Sequence, residues 1–114
     1  MIDPELMASI LDSLKNPFLF ADTHHIVRYM NKAAVAHYEQ GESLIGTSVL
    51  DCHNPKSQAL MLDILEAMQQ GEDERLITDN EKYRIYMRAV RDEEGDLIGY
   101  YERYEPPVKS ASEG

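Results

Sequence analysis

The chain has 114 residues, of which 43% are hydrophobic and 28% charged, the size and balance of one globular domain with one core. No apolar run approaches the roughly 20 residues that span a bilayer. Twenty-one acids against 11 Lys and Arg leave a net charge of -10 with the bases scattered, so there is no basic stripe to displace counterions from phosphate or to hold an anionic membrane surface, and neither nucleic acid nor membrane is expected as a partner.

The first expected element is a helix over residues 3 to 15. Asp3 can cap its free amides, Pro4 suits its first position, and Ile2 and Met7 have the spacing of a hydrophobic staple. Leu6, Met7, Ile10, Leu11 and Leu14 recur on one face. Pro17 stops this helix, because the residue before a proline avoids helical geometry. Phe18-Leu19-Phe20-Ala21 and Ile26-Val27-Arg28-Tyr29-Met30 then read as two strands around a turn at Asp22-Thr23-His24-His25. Asn31 is placed to cap a short helix from Lys32 to about Glu39, with Gly41 as its terminator. Ser43 to Asp51 is short and mixed. Asn54-Pro55 opens the longest helix, which runs to about Gln70 before Gly71, with Leu60, Met61, Ile64, Leu65 and Met68 on its apolar face. Three strands follow, over 74–79, 82–91 and 97–104, separated by turns at Asp79-Asn80 and Asp92-Glu93-Glu94-Gly95-Asp96. Pro106-Pro107 ends the last strand.

This order predicts an α+β domain: a five-stranded antiparallel sheet with helices over one face, preceded by an amphipathic flanking helix. The expected boundaries are 1–15 for the flanking helix, 16–105 for the domain and 106–114 for a disordered tail. The connection between the second and third strands carries all the middle helices across one sheet face, which encloses a pocket between helix and sheet. Alternation places Tyr83, Ile85, Met87 and Ala89 toward that side and Arg84, Tyr86, Arg88 and Val90 away from it.

The order and several short segments resemble the PAS fold. Asn16-Pro17-Phe18-Leu19-Phe20-Ala21-Asp22 resembles its opening strand, and Ile26 to Ala34 its second strand, ending in the asparagine that starts the next helix. Leu44-Ile45-Gly46 resembles the family's Leu-x-Gly element, and Arg91 to Gly99 its late hairpin. The likeness covers roughly residues 4 to 105 and rests on the ordered set of segments. A narrower likeness, in Cys52-His53-Asn54-Pro55-Lys56-Ser57, is to a PAS branch of bacterial and archaeal proteins with a Cys-His-x-Pro-Lys-Ser segment, which implies a prokaryotic setting.

The resemblance implies a sensory, signal-transducing domain that holds haem, flavin, a small acid, or side chains alone. The reactive cysteine of flavin photosensors sits in an Asn-Cys-Arg-Phe-Leu context, which Cys52 lacks. Haem-binding members place a histidine on or beside the long helix, which makes His53 the candidate axial ligand of haem b; its other reading is a ring that hydrogen-bonds the turn. His37 is a second candidate ligand, more readily read as exposed. The histidines of the turn, His24 and His25, read as solvent-exposed. Cys52 reads as a small buried hydrophobe in preference to a redox sensor. Leu60, Met61, Ile64 and Leu65 of the long helix and Tyr83, Ile85, Met87 and Tyr100 of the strands are the expected lining of a ligand pocket. Such flanking helices in the family pack on the outer sheet face or on a second copy, so Leu6, Ile10 and Leu14 are the candidate contacts of a homodimer.

No nucleophile triad order, glycine-rich phosphate loop or His-Glu-x-x-His stands in the sequence, which gives no reason to expect an enzyme. A single cysteine rules out an internal disulfide and a Cys-x-x-Cys site. The Met1–Leu14 stretch has three acids and no base, unlike a secretory leader, so a cytoplasmic location is expected. The expected function is a sensor that binds a small molecule or cofactor under the long helix and relays its state by conformational change or dimerisation to a signalling partner protein or an output domain. The alternative is a cofactor-free dimerisation or interaction module.

Overall fold

A computed structural model describes residues 3–108 of the chain, with the side chain of Cys52 outside the description. Helix α1 (Pro4–Asp12) is capped by Asp3, whose side chain accepts from the Glu5 amide. It ends three residues earlier than the spacing predicts: the Ser13 amide bonds the Ser9 and Ile10 carbonyls, the Ser13 hydroxyl takes Ile10 again, and the helix closes there. The staple of Ile2 on Met7 lies outside the described residues, as does the predicted tail over 109–114.

Strands β1 (Phe18–Asp22) and β2 (Val27–Met30) form the first hairpin. Asn31 then does more than cap α2 (Lys32–His37). Fully buried, its side-chain oxygen accepts from the Ala34 and Phe18 amides, and its Nδ2 donates to the Leu11 and Asn16 carbonyls. One side chain thus ties the end of α1, the start of β1 and the start of α2 together, with all its hydrogen-bonding capacity used. Two short 3-10 turns, Gly41–Leu44 and Val49–Cys52, lead to α3 (Pro55–Gln69), capped by Asn54 on the Ser57 amide. Strands β3 (Glu74–Asp79), β4 (Arg84–Arg91) and β5 (Leu97–Glu105) complete one five-stranded sheet of order β2-β1-β5-β4-β3, antiparallel at every pair.

The sheet face under α3 carries the core. Met61, Ile64, Leu65 and Met68 of α3 are buried against Leu19, Ala21, Met87 and Tyr100. Leu60 departs from the expected apolar face: it is 43% exposed, on the flank of the buried stripe. α3 has no basic residue in its last turn; Arg91 of β4 supplies the charge instead, its Nη2 donating to the Met68 and Glu72 carbonyls at 2.7 and 3.0 Å. That contact pins the C-terminal end of α3 to the sheet, where cations are favoured by the helix dipole.

The other face of the sheet is a charged ladder at β3-β4-β5 and an apolar strip at β1. In the ladder Glu74 meets Arg88 and Arg103, Glu105 meets Arg84 and Arg103, and the Arg103 guanidinium lies 4.4 Å from the Tyr86 ring centroid. Helix α1 lies along the strip, held by the Asn31 bond to Leu11 and by Asp12, which accepts from the Tyr29 hydroxyl and the Lys32 amide, both at 3.0 Å. Gly99 is required where β5 passes β1: a side chain there would run into the Ala21 carbonyl and the Phe20 ring.

Candidate functional site

Alternation along β5 determines the chemistry of the inner face. Tyr100, Glu102 and Tyr104 point under the helices, while Tyr101, Arg103 and Glu105 point outward. Register then sets Glu102 between Leu19 of β1 and Met87 of β4, both buried apolar residues. An acid in such a row must leave water without an apolar neighbour able to compensate.

Beside it lies a cavity of about 310 Å³, at the low end of the roughly 300–1,000 Å³ of small-molecule pockets. Its walls come from every layer: Leu19 and Val27 of the first hairpin, Tyr38 and Gln40 after α2, Leu44 and Val49 of the 3-10 turns, His53, Ile77 and Thr78 of β3, Ile85, and Glu102 and Tyr104 of β5. The aliphatic side chains form its body. Tyr38, Gln40, His53, Thr78, Glu102 and Tyr104 bring polar side chains to its wall.

Glu102 is the group of greatest consequence. It is 4% exposed, and its carboxyl has no hydrogen bond or ion pair among the described residues. Burial alone pushes its pKa up to about 7. Beside it the hydroxyls of Tyr38 and Tyr104 bond each other at 2.6 Å. Burial, followed by the nearby Glu102 charge, raises the Tyr38 hydroxyl far above its usual range, and burial raises that of Tyr104 to about 12. Both tyrosines therefore stay protonated and serve as hydrogen-bonding groups. His37, on the outside of this pair, is exposed and packs edge-on against Tyr38 and Tyr104.

His53 stands at the cavity wall. Its backbone is fixed twice: its amide donates to the Leu50 carbonyl, and Gln58 Nε2 bridges the Leu50 and His53 carbonyls at 2.9 Å each. Burial lowers its pKa, so its imidazole is neutral near pH 7. Beyond His53, Ile77 and Thr78 a smaller recess of about 120 Å³ is lined by Ser57, Leu60 and Met61.

Of the residues expected to line the pocket, His53 and Ile85 do so, and Leu60 and Met61 line the adjoining recess. Ile64, Leu65 and Met87 are packed into the solid core. Tyr100 is fully buried with its hydroxyl 2.8 Å from His25 Nδ1, and Tyr83 packs at a tilt against Tyr104 and is not among the residues that line the cavity. His25 corrects the expectation of an exposed turn histidine. It takes a positive φ of 64° that folds its ring inward to 4% exposure, where burial keeps it neutral and its Nε2 finds no partner among the described residues. Glu102 and Tyr104 were not expected at the site, although the Tyr100–Glu102–Tyr104 alternation in the sequence carries that signal.

The geometry does not fit haem b. Among the described residues no Lys or Arg lines the cavity to meet the propionates of the macrocycle, the space is that of a much smaller molecule, and an unpaired carboxyl already occupies its floor. His53 has the neutral imidazole a metal needs, but the room around it is wrong for that group.

Among curated proteins none matches the sequence. Solved structures match along nearly its whole length. A C-terminal domain from Streptococcus mutans is 24% identical with a TM-score of 0.76, over 92% of this chain and 85% of that one. The PAS domain of BvgS from Bordetella pertussis is 17% identical with a TM-score of 0.65, over 96% and 88%. The Aer2 receptor from Vibrio cholerae, described as a dual PAS-heme oxygen sensor, is 17% identical with a TM-score of 0.61, over 82% and 95%. At these identities the likeness is one of fold. A family model described as PAS domain matches residues 7–105, and with the five-stranded sheet and its helices in the same order, the chain belongs to the PAS domain family.

Proposed function

We propose that this domain is a sensor that binds a small organic molecule in the cavity between the helices and β5 and passes its occupancy to α1. PAS domains are sensory and signalling modules, and among the described residues no helix is long and apolar enough to cross a membrane. The observation that carries the ligand reading is Glu102: an acid held at 4% exposure with no partner among the described residues, facing a cavity, is costly to keep unless something fills the space.

The route outward is short. Tyr101, next to Glu102, points to the opposite face, where with Phe18, Phe20, Tyr29 and Val90 it lines an apolar groove of about 470 Å³ against Met7, Ala8 and Leu11 of α1. A shift of β5 on binding is felt under α1 through adjacent residues of one strand. Leu6, Ile10 and Leu14 are 54, 54 and 46% exposed, an apolar surface suited to a second copy of the chain or to a signalling partner or output domain. The interaction module without a ligand is the second reading, and this exposed face is what favours it.

The test is a nuclear magnetic resonance titration with small fragments of varied charge. Binding should move the amide signals of Leu44, Val49, Ile77 and Thr78, and Ile77→Trp, which fills the cavity, should abolish the shifts. If no fragment of any charge moves them, the ligand reading fails and the interaction module stands. A Soret band that appears with haemin and disappears in His53→Ala would overturn the argument against haem.

A further inference from the structure

We infer that the ligand of this cavity is a small organic cation, an amine or amidine with a compact apolar body, whose N–H groups donate to the Glu102 carboxylate. The inference rests on the cavity being a ligand site and adds the chemistry of what enters it.

Three observations converge. First, the cavity contains one carboxyl group and, among the described residues, no cationic side chain. An anionic ligand would meet an unpaired carboxylate, and a neutral apolar ligand would leave it unsatisfied. An ammonium or amidinium satisfies it with a charge-assisted pair, the strong form of hydrogen bond. Second, the groups facing Glu102 from every packed element are compatible with a cation. Tyr38, Tyr100 and Tyr104 are held protonated by burial, His53 is held neutral, and Leu19 and Met87 flank Glu102 on the adjacent strands. None carries a positive charge that would repel the ligand, and the tyrosine ring faces favour cations. Third, the chain bears a net charge of -10, which draws small cations toward its surface and repels small acids.

The aliphatic walls, Leu19, Val27, Leu44, Val49 and Ile85, fix the remainder of the ligand as apolar, and the volume of about 310 Å³ keeps it small. The same carboxyl also sets a pH dependence. Glu102 titrates near pH 7 in the empty domain, so a cation must bind more tightly as pH rises through that value, whereas a carboxylate ligand sharing the Glu102 proton must bind more tightly as pH falls.

The experiment compares three probes of nearly one shape by isothermal titration calorimetry: benzylamine, which is protonated throughout the range used, benzyl alcohol and benzoate. The expected result is that benzylammonium binds tightest at pH 8, about tenfold more weakly at pH 6 where Glu102 is mostly protonated, and at least tenfold more weakly to Glu102→Gln at pH 8. Thermal unfolding of Glu102→Gln establishes that it is folded, and Ile77→Trp should bind none of the three. Benzoate tightest with affinity rising toward pH 6, benzyl alcohol equal to benzylammonium, or unchanged binding to Glu102→Gln would each overturn the inference while leaving the cavity a ligand site. Failure of all three probes also overturns it, and the fragment titration above then decides whether the cavity binds anything.

Discussion

The two faces of β5 treat charge in opposite ways. Outward, Arg103 and Glu105 join Glu74, Arg84 and Arg88 in a ladder in which every member has an opposite charge within reach and some contact with water. Inward, on the same strand, Glu102 is 4% exposed and has no opposite charge within reach among the described residues. The outer ladder could be altered at little cost, since partly exposed ion pairs contribute about 0–1 kcal/mol. The inner acid is costly to keep, and no packing role explains it, because an isosteric apolar residue would fill its place between Leu19 and Met87. The contrast separates charge that serves solubility and sheet pairing from charge that serves a ligand.

The largest effect should come from the apolar part of the inner face: Met87→Ala, at a fully buried position, should cost about 2–5 kcal/mol in urea unfolding. A cost under about 1 kcal/mol would mean that the inner face is too loosely packed to define a cavity. Asn31→Ala comes next, at about 3 kcal/mol, because it strands the Phe18 and Ala34 amides and two carbonyls that the side chain now serves. It is the buried polar group with every partner present, the opposite case to Glu102.

Glu102→Gln should act with the reverse sign. The folded-state pKa, about 7, lies above the unfolded value near 4.5, so between these values the folded state binds more protons than the unfolded one. Stability must therefore fall as pH rises from about 4.5 to 7, by about 3 kcal/mol for this group. Glu102→Gln should remove that slope and raise stability at pH 8 by about 2 kcal/mol, as read by urea unfolding at each pH. A mutant less stable than the parent at pH 8 would mean that the carboxylate has a protein partner after all. The smallest effect belongs outside: Arg103→Ala should cost about 1 kcal/mol or less and lose part of even that in high salt. A cost several times larger would erase the distinction between the faces.

Most of the fold was legible in the sequence because its boundaries are set by local chemistry. Asn31, the Asn54-Pro55 start and the Asp92–Asp96 turn each stop one element and begin another, and the structure uses them as read. The site was harder to see, because it depends on long-range register. Alternation with Tyr100 and Tyr104 turns Glu102 inward, but only the pairing Leu19–Glu102–Met87, which the sequence does not show, sets it in a buried apolar row. His25 was missed for a related reason: Asp22 accepts from the His24 and Ile26 amides and closes the turn so that the second histidine, not the first, folds under the sheet. Leu60 shares the helical spacing of the core face, but the buried stripe centres on Met61, Ile64, Leu65 and Met68 and leaves it at the rim.

The most direct test is the titration of the Glu102 carboxyl itself, followed by carbon nuclear magnetic resonance in the intact domain with and without benzylammonium. The free protein should show a midpoint near 7, moving down by a unit or more, on the order of 1.4 kcal/mol of preference for the ionised form, when the cation is bound. A midpoint near 4.5 in the free protein, unmoved by the cation, would contradict both expectations.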